Sequence, residues 1–105
     1  MKILFEVPRE EDIAMSITAG THMSEMPETE EVEIVYLAGA IAAVVEKTRI
    51  EPLLKNEKVK VVACGTSMTA HNIMKEELAP GVVYVPASFK EIAKKIQEGY
   101  IYMVV

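Results

Sequence analysis

Five short apolar runs recur along this chain: Ile3–Val7, Val32–Leu37, Val59–Ala63, Val82–Val85 and Ile101–Val105. They are rich in valine and isoleucine, which favours strands, and a stretch long enough for a helix separates each from the next. Strands alternating with helices require right-handed crossovers and so form a parallel sheet. The runs are nearly unbroken rather than alternating with polar residues, as expected of strands covered on both faces. The predicted fold is therefore α/β, a three-layer sandwich with a five-stranded, mostly parallel sheet flanked by helices. A chain of 105 residues and 11.6 kDa suits a single domain, here residues 1–105. Area scaling gives it a folded surface of roughly 6,000 Å², enough burial for a core without disulfides or metal.

Punctuation between the runs places the helices. Asp12 is a candidate cap for a first helix carrying Ile13, Ala14 and Ile17 on one face, with Gly20 as its stop unless Met23 and Met26 extend it. Residues 24–31 read as an acidic, solvated loop. A second helix is expected over Ala40–Lys55, kinked by Pro52. A third is expected over Thr69–Leu78, ending before Pro80-Gly81. Ser88 followed three residues later by Glu91 has capping-box spacing, so a fourth helix runs from Phe89 to Glu98 and stops at Gly99.

Charge removes several functions. Net charge is −5, and residues 1–33 hold nine acids against Lys2 and Arg9, whereas the remainder is slightly basic. A nucleic-acid surface needs a basic footprint and stacking aromatics, and neither is present. No apolar run approaches the roughly 18 residues of a membrane span. The start, MKILFEVPREE, turns acidic too soon for a secretory signal. Together these features predict a cytoplasmic protein.

There is one cysteine, Cys64, so an internal disulfide and a cysteine-built zinc cluster are both excluded. In parallel α/β sheets, sites lie beyond the carboxyl ends of the strands. That narrows the search to Val7–Asp12, Ala38–Ile41, Cys64–Thr69 and Pro86–Ser88. Cys64 ends the third strand just before Gly65-Thr66-Ser67. Backbone N–H groups and hydroxyls there can stabilise a thiolate or a terminal persulfide anion, and His71 is a further candidate donor. The opposing reading is packing, because free cysteine is among the most buried residue types. Ser67 and Thr69 can equally serve as helix caps, and His71 as an exposed helix residue.

Other chemistries fail on particular residues. A phosphatase loop needs arginine six positions after the cysteine to grip phosphate, and Ala70 stands there. A thioredoxin-like site needs a second cysteine. Pro8-Arg9-Glu10-Glu11 repels phosphate where a glycine-rich loop would bind it. The adjacent acids Glu10, Glu11 and Asp12 suit a helix start better than an acid–base pair. No cofactor or metal is implied.

Three stretches, the opening MKILFEV, VKVVACGTSM and GVVYVPASFKEIAKKIQEGYIYMVV, resemble the DsrE/DsrF-like family, which includes TusD-type sulfur relay subunits. The likeness is strong over residues 59–105 and one of layout before them. It implies a compact α/β subunit that assembles into homotrimers or hexamers. It also implies a cysteine at this strand end that accepts sulfur as a persulfide and passes it on, a role that maps onto Cys64. A sulfur-donor or acceptor protein would be its partner, because Cys64 has no second cysteine in the chain to resolve it. Two loops depart from the family pattern: the loop after strand one is acidic, and the loop after strand two is Ala38-Gly39-Ala40-Ile41 rather than a more polar turn. Some members lack sulfur transfer, so the expectation divides between a sulfurtransferase or sulfur carrier and a non-catalytic oligomeric module. The module's cleft near Cys64, Gly65, Thr66 and Ser67 would hold a small anion or a protein segment.

Overall fold

A computed structural model describes all 105 residues. Five strands form one sheet, β1 (Lys2–Val7), β2 (Glu31–Tyr36), β3 (Val59–Cys64), β4 (Val83–Val85) and β5 (Ile101–Val104), in the order β4-β3-β2-β1-β5. Every pairing is parallel. The chain steps outward from β1 to β4, then returns across the sheet to lay β5 beside β1.

Right-handed crossovers convert that reversal into two unequal faces. The outward steps place α1 (Ile13–Ser24), a 3-10 run (Ala38–Val45), α2 (Lys47–Leu54) and α3 (Gly65–Ala70) on one face. The return step places α4 (Ser88–Gln97) alone on the other. Side chains confirm the assignment, since neighbours along a strand point to opposite faces. Tyr36 of β2 hydrogen-bonds Ser16 of α1 at 2.7 Å, whereas Glu33 meets Lys95 of α4. The central strands carry most of a core of 24 buried residues, and the accessible surface is 5716 Å².

Several helices differ from their sequence-predicted positions. Gly20 does not stop α1 but lies buried inside it, and the helix continues past Met23 to Ser24. A Cβ on Gly20 would stand 2.6 Å from Ile34 Cδ1 and 3.0 Å from Leu53 Cδ2. Glycine is there for close helix–sheet approach, not for a turn. The segment expected as one helix over residues 40–55 is the 3-10 run followed by α2. Ala40, Ile41, Ala43 and Val44 are all buried, so this stretch packs on several sides at once instead of presenting one helical stripe. Pro52 sits within α2 and is exposed, where water can satisfy the carbonyl it leaves unpaired.

The third helix is displaced towards the N-terminus. It begins at Gly65 rather than Thr69 and ends at Ala70, and Asn72 just beyond adopts φ 56°. Ile73 N–H donates to Met68 O at 2.8 Å and Asn72 N–H to Thr69 O at 3.2 Å. This is a Schellman stop, with asparagine tolerating the left-handed residue. A separate 3-10 turn then covers Lys75–Glu77. Ser88 is the first residue of α4 rather than its cap, a position held by Ala87.

Gly20→Val tests the close approach. Two fully buried side chains leave the added atoms no room, so the variant should lose about 2 kcal/mol, read from its denaturation midpoint.

Candidate functional site

Cys64 is the last residue of β3, and its side chain points to the α4 face, as the alternation from Lys60 and Val62 requires. Parallel pairing with Val85 brings the following loop, Pro86–Ala87, alongside. The thiol is 3% exposed. It borders a cleft of about 230 Å³ lined by Leu37, Ala38, Cys64, Thr66, Ser67, Ala87, Ser88 and Phe89. The cleft opens at the carboxyl edge of the sheet, between the loops that follow β2, β3 and β4, and no lining residue is charged.

The start of α4 presents a donor to the sulfur. Ser88 N–H donates to Sγ at 3.4 Å. Ser67, near the start of α3, lines the same cleft beside it. The Ser67 oxygen accepts from Ala38 N–H at 2.8 Å, which leaves its proton free to donate. Burial opposes ionisation of Cys64, but hydrogen bonding from Ser88 and Ser67 outweighs it and brings the thiol down from 9.0 to about 7. The anion is thus the form these groups are arranged to hold.

Ala38 contributes to this geometry at a conformational cost. Its φ is 49°, in the left-handed region that costs a non-glycine residue roughly 1 kcal/mol or more.

The sequence-predicted residues separate. Ser67 and Thr66 line the cleft with Cys64, but both the Thr66 N–H and its hydroxyl donate to Pro86 O at 3.1 Å, tying β3's exit to the β4 loop instead of serving the sulfur. Gly65 is buried against Tyr84, where a Cβ would come within 2.4 Å of the hydroxyl, and it borders a neighbouring pocket. His71 is exposed at the far end of α3 with Nδ1 3.0 Å from Ser67 O, and it is not among the cleft residues. Ser88 is the contributor that sequence reading missed. Its sequence context reads as a helix cap, a position that Ala87 holds in the structure. The available signal was Pro86-Ala87-Ser88, already among the strand-end loops. No group of three or more His, Cys, Asp or Glu side chains comes together to hold a metal.

The DsrE/DsrF-like family matches residues 13–105. The chain belongs to that family. The match reaches back through α1, well before the stretch where the sequence likeness was strong. Among solved structures, the fold resembles a protein of unknown function, MTH1491, from Methanobacterium thermoautotrophicum. That pair has a TM-score of 0.85 at 17% identity, covering 99% of this chain and 98% of the other. The BT1422 protein of Bacteroides thetaiotaomicron gives a TM-score of 0.73 at 10% identity, with 99% and 94% covered. The ychN protein of E. coli gives 0.71 at 15% identity over the full length of both chains. At these identities the likeness is one of fold. No curated protein matches the sequence.

The donor set fixes a pH dependence. Alkylation of Cys64 by iodoacetamide should be half-maximal near pH 7, and Ser67→Ala or Ser88→Ala should move that midpoint towards 9. Because the thiol's folded value lies below its unfolded one, its contribution to stability is full above about 9 and disappears as pH falls through about 7.

Proposed function

We propose that this DsrE/DsrF-like protein carries sulfur as a persulfide on Cys64. The observation that carries the reading is the Ser88 N–H donating to a cysteine sulfur at the edge of an uncharged cleft, where hydrogen bonding favours the thiolate. In the accepting step, Cys64 thiolate attacks the outer sulfur of a donor persulfide. The donor's S–S bond breaks as the new one forms, and the donor leaves as its thiolate. The passing step is the reverse in kind: an acceptor thiolate takes the terminal sulfur and Cys64 leaves as thiolate. Neither step changes net oxidation state, so no redox partner is needed. The same donors that favour the thiolate make it a good leaving group in the second step.

Both donor and acceptor must be external, since the chain has no other cysteine. A protein persulfide suits the cleft, whose outer wall is Phe89, 75% exposed and available for contact. We place the exchange in the cytoplasm, where thiols stay reduced; no helix is long and apolar enough to cross a membrane.

Self-association belongs to the same proposal. Ile96, Ile101, Tyr102 and Val104 are all exposed around α4 and the edge strand β5, a surface that suits contact with further copies in a homotrimer or hexamer. Sizing at several concentrations should give a particle larger than one chain, and a strict monomer would contradict it.

A second reading rests on the small exposure of Cys64, 3%: a non-catalytic module whose cleft holds a small anion or a protein segment. Intact mass after incubation with a persulfide donor separates the two. One added sulfur on the wild type and none on Cys64→Ser is the expected result. No addition to the wild type, with a thiol slow to alkylate at pH 7, would leave the module.

A further inference from the structure

A second pocket adjoins the cysteine cleft, and its charge is opposite to that of the chain as a whole. Its volume is about 240 Å³, and it is lined by Val85, Pro86 and Ala87 after β4 and by Lys90, Glu91 and Lys94 of α4. Val85 pairs in register with Cys64, and Ala87 lines both spaces, so they meet at the residue before α4. Phe89 borders the cleft, whereas Lys90 and Lys94 border the second pocket. The chain carries a net charge of −5, yet this pocket holds two ammonium groups against one carboxylate.

Both lysines lack a counter-charge. No carboxylate oxygen lies within 4.0 Å of either Nζ, whereas Lys60 and Lys95 on the same face of the sheet pair with Glu33 at 3.7 and 4.0 Å. Neither placement helps the helix. Lys90 lies in the first turn of α4, where the dipole favours negative side chains. Lys94 follows it by four residues, so two like charges are neighbours on the helix surface and repel. A negative group supplied from outside relieves both conflicts.

The two joined spaces identify the kind of ligand. A small persulfide fills the cleft of about 230 Å³ and leaves the lysines unmet. Cys64 is 3% exposed, so a sulfur reaches it only on a protruding side chain. A polypeptide whose cysteine enters the cleft continues across Ala87 onto the lysines. We propose that Lys90 and Lys94 form a docking site for an acidic segment of the protein that exchanges sulfur with Cys64. Aspartates or glutamates beside that segment's cysteine would meet the two ammonium groups. This inference rests on reading Cys64 as a sulfur carrier. The exchange itself is unchanged: the segment's outer sulfur bonds to Cys64, its S–S bond breaks, and its cysteine leaves as thiolate. The acidic remainder of the chain repels such a segment, so the local charge fixes where it lands.

The test uses synthetic peptide persulfides identical except that glutamates, glutamines or lysines flank the cysteine, with glutathione persulfide as a small anionic donor. Intact mass gives the rate of sulfur addition to Cys64. At low ionic strength the wild type should take sulfur from the glutamate peptide about tenfold faster than from the glutamine peptide. The preference should vanish near about 1 M salt, where the screening length is about 3 Å. Lys90→Gln with Lys94→Gln should bring the ratio to about one, and Lys90→Glu with Lys94→Glu should turn it towards the lysine peptide. Lys47→Gln with Lys55→Gln removes the same charge beside α2, on the opposite face, and should keep the ratio.

Equal wild-type rates for the glutamate and glutamine peptides overturn the proposal, as does a preference that survives loss of Lys90 and Lys94. A glutathione persulfide rate that falls with these lysines as steeply as the glutamate peptide's assigns the pocket to a small anion and overturns the protein segment. If no donor adds sulfur, the carrier reading falls and binding decides the docking site alone. The probe is then the glutamate peptide with serine in place of its cysteine, followed by fluorescence anisotropy. Saturable binding that Lys90→Gln with Lys94→Gln weakens about tenfold keeps the docking site, and absence of binding removes it as well.

Discussion

One ten-residue helix covers the second face of the sheet, and the site depends on how that helix is seated. The other face has α1, the 3-10 run, α2 and α3 to close it. On the α4 side, Leu4, Glu33, Val35, Val62 and Cys64 must all leave water beneath a single element. Ile92 supplies the main apolar contact from α4 itself, and the Ser88 N–H on Cys64 ties down its first turn. Burying these groups is costly unless each is paired, so the seating and the pairing are one constraint.

The same constraint gives Cys64 its chemistry. A thiol at a buried strand end would ordinarily resist ionisation. Here the carboxyl edge of a parallel sheet gathers the beginnings of two helices, and their first residues, Ser67 near the start of α3 and Ser88 in α4, line the cleft that borders the sulfur. α3 has only six residues, so its dipole is slight and the local N–H and hydroxyl donors carry the effect. The Ala38 backbone holds Ser67 at the cleft, since its N–H donates to the Ser67 oxygen.

Strand composition made the fold legible. Apolar valine- and isoleucine-rich runs at regular spacing admit little other than a parallel sheet, and all five appeared within a residue or two of their expected bounds. Helix boundaries were less legible because tertiary contacts overrode local signals. Gly20 looked like a terminator, yet its missing Cβ is used by Ile34 and Leu53. The start of α3 at Gly65 carried no cap signature, and its end depended on Asn72 adopting a left-handed conformation. The position of Cys64 at a strand exit was readable. Ser88 was not, because a serine beside a helix start has the same sequence signature whether it caps the helix or reaches across to a thiol.

By itself, the sequence determined the strand count, the parallel architecture and the presence of one sulfur at the sheet's carboxyl edge. Those are properties of local pattern, and hydrophobic periodicity carries them. Only the tertiary structure decided what surrounds that sulfur and where the buried charge lies. Ser88 follows Cys64 by 24 residues and Lys95 follows Glu33 by 62. Such pairs meet only because the chain reverses direction after β4 and sends α4 back across the opposite face, and no local pattern encodes the partner found at the end of a crossover.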